Sequence, residues 1–562
     1  MPADVPLPAD PTSASRRPRA TPVLPGAHPD PSVCRAPGDD LVWLATSTFE
    51  YWPAVALHSS TDLLTWTPRG SVVDRPGALD LTGVPDSGGV YAPTLRHGLG
   101  RWWLVSTVVG GDRPGSFACT ADDPAGAWSD PVLVEGAEGI DPALFFEARP
   151  GDERDRVWWL GTRLRDPGSY EGETEIWLRE LDPETLSLTG PEHVVWTAAQ
   201  RGAVWSEGPH RVERDGWFHL VTAEGGTERH HAVVAARSRN VVGPYEVDPR
   251  GPILTHRHRG RDHPVVAVGH ADLVELPGGE WRATVLGMRP VGGHTVLGRE
   301  TFVAGVTWED DRPVVNAGVG QLDDAAVGHR PDPPEARVDD LRDARLPDGA
   351  WLSVRGAPSF AVPSVDGLVL DGGAAAGLHD PVGVPAFVGV RQRDHHETLE
   401  LAVTVRPRPG GAAGLVVRQG GAHDLRVEVA CPSATAAAAT GAPLGLRVRV
   451  VSREAGVDRV LAEAAMPEPG RGPRAGSAPA SPETGDGGVE MLLRASCRGD
   501  AYDLVALVVD PEGGAPVEVV RAAGEARVVS TETAGGFVGV VWGAAVDGPG
   551  RLVLHRASRG VG

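Results

Sequence analysis

Three carboxylates in this sequence stand in settings that an ordinary surface acid has no need of. Glu207 lies in WSEGPH, between an indole, a glycine and a proline, Asp141 lies in GIDPALFF, and Asp30 lies in HPDPS. Clustered carboxylates that work without cysteine or lysine serve two chemistries, cation binding through oxygen ligands and glycoside hydrolysis by a paired acid and base. Hydrolysis asks one carboxylate to stay ionised and activate water while another is kept protonated by apolar surroundings or a like charge. Trp205 gives Glu207 the less polar setting expected of a general acid, and Asp141 would add repulsion that raises its pKa further. Asp30, with His28 and Ser32 nearby, has the polar setting of a general base. Taken singly, each acid could equally cap a turn beside proline.

What makes the three more than turn caps is their phase in a repeat. One pattern recurs five times: a polar or proline-containing start, a short apolar strand, a Gly/Asp/Arg turn and a second strand. The copies begin at HPDPSVCR, VYAPTLRH, GIDPALFF, SEGPHRVE and GHADLVEL, which makes Asp30, Ala92, Asp141, Glu207 and His270 equivalent. Their intervals are 62, 49, 66 and 63 residues, room for about four short strands each. Between copies, SSTDLLTWTPRG, TADDPAGAWSDP and SRNVVGPYEVDP read as outer hairpins. The reading is an all-β, five-bladed β-propeller over residues 21–327, whose inner strands would bring the repeat positions to one mouth. Phe49, Trp52 and Tyr91 fall near that mouth and could stack on sugar faces.

Composition narrows the partners. The chain has 562 residues and a formal charge of −22, from 53 basic and 75 acidic side chains. Such a surface repels nucleic acid and anionic lipid, so a small neutral substrate fits better. The sequence contains no lysine, which excludes a phosphate-loop or Schiff-base lysine. Cys34, Cys119, Cys431 and Cys497 have neither CxxC spacing nor a disulfide framework and read as free thiols. His256, His258 and His263 crowd one loop at spacings too irregular for zinc and read as solvated. The N-terminal arginines are followed by no apolar run, so neither a secretory signal nor a membrane anchor is expected. The expectation is a cytoplasmic protein with a disordered tail over residues 1–20.

At these residues the sequence resembles the family 43 glycoside hydrolases, in particular their β-xylosidase and α-L-arabinofuranosidase members. LPGAHPDPSVCR, ATSTFEYWPAVALHSSTDLLTW, DSGGVYAPTL, GIDPALFF, SEGPH, GHADLV and LGRETF occur in family order. The resemblance implies a five-bladed propeller and single-displacement hydrolysis with inversion. It implies that Asp30 is the general base, Glu207 the general acid and Asp141 the residue that orients the acid and tunes its pKa. It also implies that Phe49, His270 and Arg299 line the sugar pocket. Relatives commonly carry tryptophan where this chain has Tyr91, which implies a smaller aromatic platform. No cofactor is implied as required. Relatives that hold a calcium near the axis keep it beside the histidine matching His270, usually through water, so a structural or activating Ca2+ is the one metal the resemblance raises.

Beyond GHRPDPPEARVDD the five-fold pattern stops, and residues 328–340 read as a linker. Residues 341–562 alternate as antiparallel strands, as in ETLELAVTVRP and HDLRVEVA. FVGVRQRDHHETLE followed by AAGLVVRQ resembles the concanavalin-like β-sandwich that follows the propeller in the xylosidase branch. Residues 466–488 read as a disordered insertion. The expected protein is therefore an exo-acting β-xylosidase releasing xylose from short xylo-oligosaccharides, with α-L-arabinofuranosidase activity as the alternative within the family. A non-catalytic sugar-binding propeller is the rival from another class. Self-association is left open.

Overall fold

The computed structural model describes residues 19–148, 155–198, 202–342, 350–373, 375–433, 445–466, 488–510 and 512–562. The expected N-terminal tail and the expected insertion at 466–488 lie almost wholly outside these residues. The described chain is nearly all β, and no helix in it is long and apolar enough to cross a membrane.

Five antiparallel sheets follow one another around an axis, and each begins where the repeat begins. Their innermost strands are Ser32–Arg35, Thr94–Gly98, Ile140–Glu147, Glu207–Arg214 and Val266–Glu275. In each blade the next strand returns antiparallel, and the outer hairpins foreseen from Asp, Pro and Gly turns complete it. The ring closes when Val23 N–H donates to the carbonyl of Thr301 in the fifth blade, at 2.8 Å.

The tandem tryptophans explain how the blades hold together. Side chains alternate across a strand, so in a blade packed on both faces two consecutive bulky residues serve two different interfaces. Trp102 packs with Trp43 and Leu57 of the first blade, whereas Trp103 packs with Leu144 and Trp159 of the third. Trp158 and Trp159 divide in the same way between the fourth and second blades. Each such aromatic buries about 150–250 Å², about 4–6 kcal/mol of gross hydrophobic stabilisation at about 25 cal/mol per Å².

The rest of the chain forms two packed sheets around one large apolar core that includes Trp542, Tyr502 and Phe360. Arg337–Asp340, the last four residues of the expected linker, already belong to this sandwich, pairing with Gly550–Val561. The propeller also contributes a strand to it. Tyr51–Trp52 pairs antiparallel with Trp351–Val354, Trp52 opposite Ser353 and Tyr51 opposite Val354. Trp52 is consequently buried in the core and does not reach the mouth, contrary to the sequence expectation. Beside this junction the Asp86 carboxylate accepts from Arg355 Nη2 at 2.6 Å, Arg418 Nη2 at 2.8 Å and the Gly421 N–H at 2.6 Å. Propeller and sandwich thus share a sheet and a largely buried ion-pair cluster.

Candidate active site

The inner strands bring their first residues to one end of the axis. Asp30, Ala92, Asp141, Glu207 and His270, the five repeat-equivalent positions, all line one pocket of about 80 Å³. Phe49, Tyr91 and Arg299 line it too, whereas Trp52 does not.

Local backbone irregularity aims these side chains. Strand pairing shifts register between Ile140 and Ala143, between Glu207 and His210, and twice between Val266 and Ala271. These β-bulges fall on Asp141, Glu207 and His270 and bend each strand start toward the axis. Asp30, Asp141 and His270 adopt left-handed φ values of 55°, 52° and 46°, a region in which Asp and His are the better tolerated side chains. After Glu207 the same turn falls to Gly208, at φ 57°. A Cβ there would lie 2.8 Å from the His270 ring, so the position admits only glycine without displacing His270.

The carboxylates are held in opposite electrostatic states. Asp30 is buried, which by itself would raise its pKa, but Arg299 and His270 outweigh burial and hold it below the ordinary value. Arg299 Nη1 donates to Asp30 Oδ1 at 2.9 Å and Ser47 Oγ donates to Oδ2 at 2.7 Å. His270 Nδ1 lies 3.6 Å from Oδ1. Glu207 is partly buried and has no ion-pair partner among the described residues. Burial, then Asp141, then Asp30 push it up to about 8, against the weaker pull of Arg299. Asp141 is itself raised, chiefly by burial, and accepts the Gly208 N–H at 3.0 Å, which ties it to the chain beside Glu207. One carboxylate ready to take a proton and one ready to give it face the same cavity.

Some reasons drawn from sequence neighbours do not hold even where the residue itself lines the pocket. His28 and Ser32 do not form the Asp30 setting: His28 Nδ1 lies 3.4 Å from Thr46 Oγ1, and Ser32 Oγ donates to Asp272 at 3.0 Å. Trp205 is 40% exposed and does not line the pocket, so burial among other groups keeps Glu207 apolar. His256 is a buried structural residue, with Nδ1 2.8 Å from the Val265 carbonyl and Nε2 accepting from Leu322 N–H.

Four pocket residues were not foreseen, Ile140, Thr227, His231 and Phe537. Thr227 Oγ1 accepts from Arg299 Nη1 at 3.1 Å, and His231 adds an imidazole wall. Phe537 comes from the sandwich and stacks on Phe49, ring centroids 5.9 Å apart, while meeting Tyr91 edge-on at 5.8 Å. Thr227 and His231 lie in GGTERHH, away from any repeat-equivalent position, and no local signal marks Phe537.

A calcium beside His270 would meet the groups one step further along the inner strands. There Arg96 spans the axis, donating through both Nη atoms to Asp272 at 2.8 and 3.1 Å. Arg96 Nη2 also meets His210 Nδ1 at 3.0 Å. Asp272 is further occupied by Ser32 Oγ and the N–H groups of Val33 and Leu273. Near Asp272, two buried ring nitrogens, His210 Nε2 and His270 Nε2, have no hydrogen-bond partner among the described residues. Calcium takes six to eight oxygen ligands. A satisfied carboxylate, a guanidinium and two imidazoles do not fit it.

Known proteins match most of the chain. Residues 20–313 match the model for glycosyl hydrolases family 43, and residues 350–551 match that for the β-xylosidase C-terminal concanavalin A-like domain. A "Xylosidase/arabinosidase" of Butyrivibrio fibrisolvens is 36% identical over 419 residues, 73% of this chain and 79% of that protein. A "Non-reducing end alpha-L-arabinofuranosidase" of Bacteroides ovatus is 41% identical over 293 residues, about half of each chain. The solved xylan β-1,4-xylosidase of Bacillus halodurans superposes with a TM-score of 0.79 at 27% identity, covering 96% of this chain and 99% of that one.

Proposed function

This chain belongs to family 43 of the glycosyl hydrolases, and we propose that within it the protein is an inverting, exo-acting β-xylosidase that removes xylose from short, neutral xylo-oligosaccharides. The observation that carries the reading is the pairing in one small pocket of Asp30, held ionised by Arg299, with Glu207, held protonated by burial and Asp141. In the reaction Asp30 takes a proton from water as the water oxygen bonds to the anomeric carbon. Glu207 gives its proton to the glycosidic oxygen as that oxygen leaves the same carbon from the opposite face. Charge is conserved, and the two carboxyls exchange protonation states. Asp141 keeps Glu207 protonated and fixes the turn that follows it, while Arg299 and His270 hold Asp30 and face the sugar hydroxyls. Phe49, Tyr91 and Phe537 form the apolar wall.

A small pocket walled partly by a sandwich residue suits one terminal sugar better than the middle of a chain. α-L-Arabinofuranosidase activity is the second reading, supported by the double name of the Butyrivibrio relative. Proton NMR during early xylobiose turnover tests the mechanism: α-xylose should appear first, and initial β-xylose would overturn inversion. Comparing nitrophenyl β-xyloside, nitrophenyl α-L-arabinofuranoside and arabinoxylan tests specificity, and xylose released from the interior of long polymer would count against exo action.

A further inference from the structure

We propose that the indole of Trp205 is the stacking platform for the leaving-group sugar, a pyranose-binding subsite just outside the pocket. This rests on the reading of Glu207 as the acid. The acid must touch the glycosidic oxygen, so while the terminal sugar fills the pocket the next sugar lies on the solvent side of Glu207. Trp205 stands two residues before Glu207 and is the only exposed aromatic side chain among the described residues, at 40%. Every other large exposed apolar side chain among them is valine or leucine.

A single exposed apolar residue ordinarily needs no explanation. This one is held in place at a cost. Its φ of 52° is left-handed, where a bulky side chain is a strained outlier. Two backbone bonds of 2.8 Å enforce that turn, Trp205 N–H to the Gly172 carbonyl and Gly225 N–H to the Val204 carbonyl. Two glycines make the seat. A Cβ at Gly172 would come within 3.0 Å of indole Cε2, and one at Gly226 within 3.3 Å of Cδ1. Both ends of that seat adjoin the site: Gly226 precedes Thr227, which lines the pocket and accepts from Arg299, and Ser206 joins Trp205 to Glu207. Strain, two backbone clamps and two cleared positions present a flat apolar face at the rim, where the C–H face of a pyranose would meet it.

The test separates a leaving-group subsite from a disturbance of Glu207. Trp205→Gly keeps the left-handed turn, and Trp205→Phe restores a ring. Each is assayed on two matched pairs, methyl β-xyloside with xylobiose, and methyl α-L-arabinofuranoside with an arabinosyl-xylobiose. Within the pair that the wild type cleaves faster, Trp205→Gly should lower kcat/KM about three- to tenfold on the sugar leaving group, mainly through KM. It should change the methyl glycoside less than about twofold, and Trp205→Phe should recover most of the loss. Equal losses on both members would mean that the change acts through Glu207 and would overturn the proposal, as would no loss on either. The wild type's choice between the two pairs judges the β-xylosidase reading separately.

Discussion

Asp141→Asn isolates the charge that keeps the acid protonated. The variant retains a side-chain oxygen for the Gly208 N–H, now 3.0 Å from Asp141 Oδ2, so the turn after Glu207 should survive. Only the negative charge is lost. Glu207 stands at about 8 against an ordinary 4.5, with burial the largest cause and Asp141 the second. Since Asp141's share is the smaller, the alkaline limb should move down by about one pH unit, equivalent to about 1.4 kcal/mol of preference for the protonated form. The sign follows from linkage: removing a neighbouring anion stabilises the Glu207 carboxylate, so the acid loses its proton sooner as pH rises. The measurement is kcat/KM for xylobiose from about pH 3 to 9, which reports the free enzyme, with xylose detected enzymatically after quenching. The acid limb, set by Asp30 and its Arg299 partner, should move much less. An alkaline limb that stays in place, or moves upward, would refute the assignment of Asp141 as the charge acting on Glu207.

Other parts of the molecule give further expected outcomes. Glu50 has no exposed surface and is pushed up to about 7, by burial and then Asp86, so its contribution to stability is full below its ordinary 4.5 and is lost as pH rises through about 7. Glu50→Gln should remove that fall, worth up to about 3 kcal/mol, and an unchanged pH dependence of Tm between pH 5 and 8 would refute it. Removing residues 341–562 should abolish most activity or solubility, since it exposes the Tyr51–Trp52 strand and takes Phe537 from the pocket; undiminished xylobiose turnover by residues 21–340 would contradict this. Chelation with EDTA should leave kcat/KM unchanged, because Arg96 and not an oxygen cage faces Asp272, and loss of activity restored by Ca2+ would overturn that reading. Arg96→Met, by contrast, should cost about 3–5 kcal/mol in urea unfolding by leaving Asp272 buried and unpaired.

The pocket carboxylates were legible in sequence because a repeat protein writes its axis as a phase. Once five similar strand starts are aligned, whatever stands at that position must converge, and even Ala92 lines the pocket as the alignment requires. The reasons attached to individual residues fared worse, because left-handed turns at Asp30 and Trp205 break the alternation by which residues two apart share a face. Ser32 serves Asp272 and not Asp30, and the side chain that holds Asp30 comes from Arg299 in the last blade. Contacts between the two halves were illegible for a related reason. GFVGVVWGAA has the alternation of one strand, yet the strand begins only at Val541, and the residues before it form the loop that carries Phe537. Apolar character predicts burial without saying against which partner. Trp52 illustrates the same ambiguity from the propeller side, an aromatic near the mouth in sequence that became core because the sandwich adds a sheet edge there.

That shared edge explains how a distant phenylalanine can be placed with the accuracy a sugar pocket needs. Ser87, itself left-handed at φ 61°, sits where the two halves meet and uses all its polar groups. Its N–H donates to Glu50 Oε2 at 3.1 Å, its carbonyl accepts from Tyr91 Oη at 3.1 Å, and its Oγ accepts the Phe537 N–H at 3.0 Å. Glu50 follows Phe49 and has its own carbonyl bonded to the Arg355 N–H of the sandwich at 2.6 Å. The three rings of the apolar wall are therefore tied through one residue, so Phe537 cannot shift without straining the turn that holds Tyr91. Rotation of one half against the other would also break the Asp86 bonds to Arg355 and Arg418, whose guanidinium groups have little access to water to replace them. A loop from a second fold can serve as a wall of the first because backbone pairing, buried charge and side-chain hydrogen bonds fix the same relative position independently. Any one of them alone would leave the wall free to drift by more than catalysis tolerates.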